Sequence, residues 1–343
     1  MMATLTGLNG IPLTQKTVIF VITGGDEPLV VSEITDNTGR AYLQVNLPVG
    51  TYNIDAYFAS VVQVDGGTLD LTDDRYEPTS ASGSITVEER PDVILYMSSS
   101  HGGSISGIDF ETQDILAYNI TTDEWSLFFD GSDVGLFFKD IDAFAILDDG
   151  SLLLSLETPT NIDDFDSVDD SDILRFIPTS LGEETSGTYE WYFDGSDVGL
   201  TEGEENIDGL SVLADGRLLI STSGDASVDG AFARDEDMLV FTPTSLGEAT
   251  SGQWDFFFDG SDIGLTRNTE DIDGISVNQA TGDIYFSTLD GFKVDGLVGN
   301  GADVVTCTPN SLGKNTSCEL SLFWQSVLHY AQWIPVNAIH IEQ

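Results

Sequence analysis

One heptapeptide, Asp-Gly-Ser-Asp-Val/Ile-Gly-Leu, occurs three times in this chain, at 130–136, 194–200 and 259–265, in steps of 64 and 65 residues. Self-similarity at a fixed period marks a repeat architecture, in which each unit buries its apolar face against the next. Trp125, Trp191 and Trp254 stand just ahead of the three copies, and further landmarks follow in fixed order. Ile141-Asp142-Ala143, Ile207-Asp208-Gly209 and Ile272-Asp273-Gly274 come first. Apolar runs at 152–155, 218–221 and 284–287 follow, then 172–176, 237–241 and 303–307, then turns at 178–182, 243–247 and 309–313. A fourth copy is split: 94–98 and 114–118 match the two apolar runs, while 320–324 matches the aromatic strand and 337–341 falls where Ile-Asp-Gly is expected.

Each unit thus contributes four short strands, which is the make-up of a β-propeller blade. The sequence predicts an all-β chain whose residues 92–343 form four blades of about 65 residues, closed by strands from both ends of the repeat region. Pairing 337–341 with 94–98 removes the exposed edges of an open array. A linear solenoid, which wants capping repeats, is the alternative, and an incomplete ring that closes by oligomerising is another. The repeat resembles a group of uncharacterised bacterial proteins rich in Trp-x-x-Phe-Phe-Asp-Gly-Ser-Asp-Val-Gly-Leu copies, for which export is the expectation but which imply no activity. The fourth copy departs from that pattern, with Gln325-Ser326-Val327-Leu328-His329 in place of Asp-Gly-Ser-Asp-Val.

Residues 1–91 follow a different period. Runs 41–47 and 52–58 alternate apolar with polar, and Thr17-Val18-Ile19-Phe20-Val21-Ile22 is apolar on both faces. Alternation reads as half-buried antiparallel strands and the double-faced run as a central one, with turn signals at 24–26, 36–39 and 48–50. Gly10-Ile11-Pro12-Leu13, then Val18-Ile19-Phe20, then 35–41, then Pro48-Val49-Gly50-Thr51-Tyr52 resembles a bacterial immunoglobulin-like domain. That resemblance implies a β-sandwich acting as a spacer, stalk or adhesive module without chemistry of its own. Residues 61–74 exceed the family pattern.

Charge narrows the partners. The chain carries 59 acidic against 11 basic residues, net −48, of which −8 falls in 1–91 and −40 in 92–343. Such a field repels phosphate backbones and anionic headgroups, so neither nucleic acid nor membrane insertion is expected, and no apolar run reaches the roughly 18 residues of a membrane-spanning helix. With 41% hydrophobic residues the chain has the means to fold, unlike a disordered acidic tail. The opening Met1-Met2-Ala3-Thr4-Leu5 lacks the regions of a secretory signal, so either a signal lies outside this sequence or export takes another route.

Repeated carboxylates are the candidate cation ligands. If Ile-Asp-Gly opens the innermost strand, Asp142, Asp208 and Asp273, with Asn337 in the fourth place, converge on a central channel and offer the oxygen set that Ca²⁺ prefers. Hemopexin-like propellers hold cations in a similar channel, a likeness of architecture only. The plainer reading is that these side chains accept backbone N–H groups. A second set lies in the loops: Asp130 and Asp133, Asp194 and Asp197, Asp259 and Asp262. These suit ordinary Asp turns, or a Ca²⁺ site shared with Asp172 or Asp237. The densest acidic run, Asp163, Asp164, Asp166, Asp169, Asp170 and Asp172, lacks the spacing of an EF-hand and reads as a solvated loop.

Signals for catalysis are poor. His101, His329 and His340 are scattered, and nothing suggests a Ser-His-Asp triad, a zinc site or a phosphate loop. The aromatic residues before each loop fit inter-blade packing better than sugar stacking. Cys307 and Cys318 flank one hairpin and can form a disulfide, which implies an oxidising setting. The expectation is a non-enzymatic extracellular surface, adhesion or filament-assembly protein with a cation-stabilised propeller and protein or glycan partners, self-assembly included. A virion fibre, decoration or receptor-binding protein is the competing class, and a carbohydrate-binding protein or carbohydrate-active enzyme the third.

Overall fold

The computed structural model describes residues 1–64, 67–89, 91–162, 165–294, 296–328 and 334–343. The chain divides into two units, Met1–Pro91 and Asp92–Gln343.

Strand Thr17–Thr23 organises the first unit. It lies between Leu29–Ile34 and Gly50–Phe58 in a four-stranded antiparallel sheet completed by Thr79–Val87. Val18, Phe20 and Ile22 pack with Ala41, Leu43 and Tyr52 on one face, while Ile19 and Val21 pack with Val62 on the other. The residues in excess of the family pattern supply that second cover: Val61–Val64 and Gly67–Asp70 form a hairpin, and Lys16 bridges Asp73 at 2.9 Å just beyond it. Where the sequence predicts two sheets of a sandwich, the first face carries only the short pair Met2–Thr4 with Arg40–Tyr42. Pairing of the latter strand stops at Tyr42, and Pro48 in the following segment has no N–H to give to a ladder.

The second unit contains four four-stranded antiparallel sheets. Three are built in chain order. Their inner strands are Ile141–Ile146, Ile207–Val212 and Ile272–Val277, and their outer strands are Ser186–Phe193, Ser251–Phe258 and Ser317–Trp324. The remaining sheet takes Ile94–Met97, Ile115–Asn119 and Glu124–Phe129 from the start of the unit and Ile339–Glu342 from its end. Ile339 stands opposite Met97 and Ile341 opposite Leu95, as the sequence predicts.

Four apolar clusters lie between neighbouring sheets among the described residues. Phe144, Leu154 and Phe176 meet Tyr96 and Ala117; Leu153 and Ile173 meet Leu210 and Phe241; Leu219 and Val240 meet Ile275 and Phe286; Tyr285 and Val304 meet Leu95, Met97 and Tyr118. Each sheet is therefore packed on two neighbours, and the last is packed on the first. The inner strands also touch in turn, 141–146 on 207–212, 207–212 on 272–277, and both 272–277 and 141–146 on 339–342. This is a propeller-like arrangement of repeated sheets.

Six of the seven residues of the heptapeptide have work at these junctions. Its first Asp (130, 194, 259) takes the following Ser hydroxyl at 2.6–2.7 Å, forming the turn. The first Gly (131, 195, 260) sits so close to the carbonyls of Gln113, Ser171 and Glu236 that a Cβ would overlap them. The second Asp (133, 197, 262) accepts the backbone N–H of Thr185, Thr250 or Thr316 from the next sheet at 2.9–3.0 Å. Those threonines return a bond through Oγ1, which accepts the N–H of Asp130, Asp194 or Asp259. The second Gly (135, 199, 264) has φ of 89°, 101° and 102°, a left-handed conformation that favours glycine. The terminal Leu (136, 200, 265) is fully buried.

The departing fourth copy lacks the Asp turn but keeps the aromatic contacts of the other junctions, where Phe193 meets Phe241 and Trp254. Trp324 meets Tyr118 and Trp125 of the first sheet, with ring centroids 6.1 and 6.4 Å away. Trp254 is buried and donates Nε1–H to the Val198 carbonyl at 2.9 Å, while Trp125 and Trp191 are half-buried against the junction cores. Cys307 and Cys318 are joined in a disulfide with Cα atoms 5.2 Å apart. No helix among the described residues is long and apolar enough to cross a membrane.

Candidate axial carboxylate site

Asp142, Asp208 and Asp273 each occupy a break in strand register. Ile141 stands opposite Leu156 but Ala143 opposite Ser155, so Asp142 has no partner of its own. The same slip brackets Asp208 and Asp273. A residue left unpaired in a β-bulge is re-aimed relative to the pleat, and here the three re-aimed carboxylates lie on the innermost strands, where the four sheets meet. Asn337 holds the fourth place just before its strand, bonded through its N–H to the Ser98 carbonyl at 3.1 Å.

These groups form one cluster with two neighbours. The Asn206 amide donates to Asp142 Oδ2 at 2.7 Å, and the Asn337 amide to Asp142 Oδ1 at 3.0 Å. Ser221 Oγ lies 2.7 Å from Asp208 Oδ1 and 2.9 Å from the Ile272 carbonyl, and its single proton serves one at a time. Asp271, two residues before Asp273, joins the group and is 3% exposed, while Asp208 is 1% exposed. Asp208 Oδ2, Asp271 Oδ1, Asn206 Oδ1 and Ser287 Oγ are buried without any hydrogen-bond partner.

Electrostatically the cluster is uncompensated. Burial, then repulsion from Asp271 and Asp142, pushes the Asp208 carboxyl well above its ordinary range. Burial and the charges of Asp208 and Asp142 do the same to Asp273. Asp271 is raised to about 9 by burial, then by Asp273 and other acids. Asp142 is raised to about 7 by burial, against the two amide bonds that favour its charged form. None of the five ion pairs among the described residues includes any of the four. No three acidic, histidine or cysteine side chains among the described residues stand as a formed metal cage. Any cation here would draw on fewer carboxylates together with amide, hydroxyl and carbonyl oxygens, a mixture usual for Ca²⁺.

The loop carboxylates serve elsewhere, as turn formers and junction latches. The Asp172 and Asp237 that could have shared a loop cation with them instead accept the N–H of Gly195 and Gly260 at 3.0 Å. Asp114 and Asp303 repeat this bond to Gly131 and Ser326. Asp172 is 4% exposed, so it is a buried anchor rather than part of a solvated run. Asp163, Asp164, the Asp166 side chain and His329 lie outside the described residues. Sequence reading missed Asn206 and Asp271; their one signal is the place two residues before each Ile-Asp-Gly Asp, where Asp140 also stands.

The far ends of the inner strands line a cavity of about 650 Å³, reaching from Leu147 and Asp149 to Val277, His340 and Gln343. His340 is held neutral there, its pKa lowered to about 4 by burial.

No family model matches the chain, and no curated protein matches it. Among solved structures it is similar to a catalytically inactive virginiamycin B lyase from Staphylococcus aureus crystallised with quinupristin, at 11% identity and a TM-score of 0.25, covering 94% of this chain and 99% of that one. It is also similar to the extracellular domain assigned to a one component system from B. thetaiotaomicron, at 12% identity and a TM-score of 0.20, covering 92% of this chain and 47% of that one. Likenesses this distant carry no argument about activity.

Proposed function

We propose that the chain is a non-enzymatic extracellular surface or assembly module: an immunoglobulin-like spacer followed by a closed, four-bladed, cation-stabilised propeller. The observation that carries this reading is where the repeated chemistry goes. Carboxylates and hydroxyls recurring in every unit bond backbone groups of the same or the neighbouring sheet, so the repeat maintains a scaffold. The disulfide suits an oxidising setting, and the acidic exterior suits solubility in salty, calcium-bearing surroundings. Partners are then surface proteins, glycans or further copies of the chain.

The test is a binding and turnover screen of the purified chain against surface glycans and glycosides, with its association state followed by light scattering. Saturable glycan or protein binding, or self-association, without turnover is expected. Turnover that is lost on substituting one buried carboxylate would replace this reading with the enzyme one.

A further inference from the structure

All four inner strands contribute to the cavity of about 650 Å³ at their far ends, a size usual for small-ligand sites. One position on its wall breaks the repeat. Ala145, Ser211 and Ser276 hold matching places on three inner strands, opposite Leu153, Leu219 and Tyr285, and all three are small and buried. The fourth place, opposite Tyr96, holds His340. Burial lowers the pKa of this imidazole to about 4, so the ring is neutral near pH 7. Its Nδ1 accepts the Ile146 N–H at 3.4 Å, which puts the ring proton on Nε2. Among the described residues no protein group accepts that Nε2–H, so a donor is left for an occupant. The wall around it is already built. Gln279 Nε2 donates to the Val212 carbonyl at 2.8 Å, Asn278 Nδ2 to Gln343 Oε1 at 3.0 Å, and Gln343 Nε2 to the Tyr285 hydroxyl at 2.8 Å. Ile146, Leu147, Val212, Leu213 and Val277 are only half-buried and line the cavity with apolar surface. Its charged lining residues are Asp148, Asp149 and Glu342, with no lysine or arginine. Arg175 pairs with Asp149, which leaves Asp148 and Glu342 as the uncompensated charges; Glu342 accepts the Tyr96 hydroxyl at 3.0 Å.

We propose that this cavity binds a short basic segment of a partner protein, with aliphatic side chains against Leu147, Val212 and Val277, an arginine or lysine drawn to Asp148 and Glu342, and a main-chain carbonyl accepting from His340 Nε2–H. The proposal rests on the surface-module reading and deepens it by naming which partner the inner strands take. An anion would meet carboxylates inside a unit of net charge −40. A free sugar would leave the aliphatic lining uncovered, and a bare alkylamine would leave the imidazole donor without an acceptor. A peptide answers the apolar lining, the acids and the donor together. Another copy of this chain is a poor source of the segment, since it carries 11 basic residues against 59 acidic. Packing alone does not ask for an imidazole at 340, because Ala145 fills the same place in another unit.

The experiment titrates the full chain at neutral pH with acetyl-Leu-Arg-Leu-amide and its Gln and Glu counterparts by calorimetry. It is run at about 10 mM and about 150 mM salt, where screening lengths are about 30 and 8 Å. The Arg peptide should bind once per chain, about tenfold tighter than the Gln peptide at the lower salt, and the Glu peptide should give no heat. Asp148→Asn and Glu342→Gln should each weaken the Arg peptide by about two- to fivefold and flatten its salt dependence, leaving the Gln peptide unchanged. His340→Ala, which restores the small residue of another unit, should weaken both peptides by about fivefold and leave the salt dependence as it was. Asp148 is exposed, so its variant keeps the test open if His340→Ala fails to fold. Equal affinity for the three peptides overturns the site, as does no binding up to millimolar peptide or unchanged affinity in all three variants. Cleavage of a peptide, read by mass spectrometry, overturns the non-enzymatic reading instead, so the two failures are told apart.

Discussion

Ile339 lies four residues from the end of the chain, yet it is 1% exposed, the same as Ile275 in the middle of the repeat region. The two occupy matching places, Ile339 opposite Met97 and Ile275 opposite Phe286. A ring and a linear array make different predictions for this pair. In a ring, Ile339→Ala empties a site enclosed by two neighbouring sheets, and a buried Ile-to-Ala change costs about 2–5 kcal/mol. Ile275→Ala should cost a similar amount. In a linear array the last strand frays, and a substitution four residues from the terminus costs close to nothing. For a unit of this size about 1 kcal/mol moves Tm by roughly 2–4 °C, so a loss of about 3 kcal/mol should appear as a fall of roughly 6–12 °C. Urea unfolding followed by tryptophan fluorescence reports the second unit, because all five tryptophans lie in it. Hydrogen exchange adds a local measure: the Ile341 N–H, bonded to Ser276 Oγ at 2.9 Å, should be protected like the centre of the unit. A cost below about 1 kcal/mol for Ile339→Ala beside several for Ile275→Ala, with fast exchange at Ile341, would refute the ring.

Other consequences follow from the junctions and the buried acids. Thr250→Val removes both the Asp194 N–H partner and the bond to the Gly247 carbonyl at 2.8 Å; leaving buried groups unpaired should cost about 1–3 kcal/mol in urea unfolding, and an unchanged midpoint would deny the latch. Gly260→Ala sets a Cβ against the Glu236 carbonyl and should cost more than Gly203→Ala, which meets open space, in the same melting assay. Stability in chelator should fall as pH rises from 4.5 to 6.5. Burial raises Asp114, Asp172 and Asp237 to about 6 from 3.8. The folded state therefore holds extra protons in this window, and stability present below pH 4 is lost as the pH climbs through 6. Asp142, Asp170, Glu236, Asp208, Asp271 and Asp273 are raised too and act in the same direction, so His340, lowered to about 4, works the other way as one group against many. A net loss on the order of 1 kcal/mol per pH unit is expected, and a Tm that rises across the window would contradict it.

What could be read from residues alone follows from what the repeats are for. The heptapeptide recurs because each junction between sheets must be made again from the same parts: a close approach at Gly131, Gly195 and Gly260, a left-handed turn at Gly135, Gly199 and Gly264, and a latch through Asp133, Asp197 and Asp262. Constraints repeated in space leave repeats in sequence, so the four-strand unit and the shared sheet of 94–97 with 339–342 were legible. The exception was legible as a departure: Gln325-Ser326-Val327 replaces the Asp turn, while Trp324 keeps with Tyr118 and Trp125 the contacts that Phe193 makes with Phe241 and Trp254. The excess residues 61–74 gave no sign of their use either, although the apolar second face of Thr17–Thr23 required some cover.

The axial cluster was half legible, for a related reason. Asp142, Asp208 and Asp273 obey the repeat because each unit makes the same bulge, and period counting finds them. Asn206 and Asp271 stand two residues earlier, a place that holds Asp in only two units, Asp140 and Asp271, with Asn206 and Pro335 in the others. Recurrence finds only what every unit shares, so the asymmetry is itself a locator. In a chain whose local choices agree with the fold nearly everywhere, the positions that break the pattern without a packing reason are where function is expected, and Asp271, buried, repelled and with Oδ1 unpartnered, is such a position.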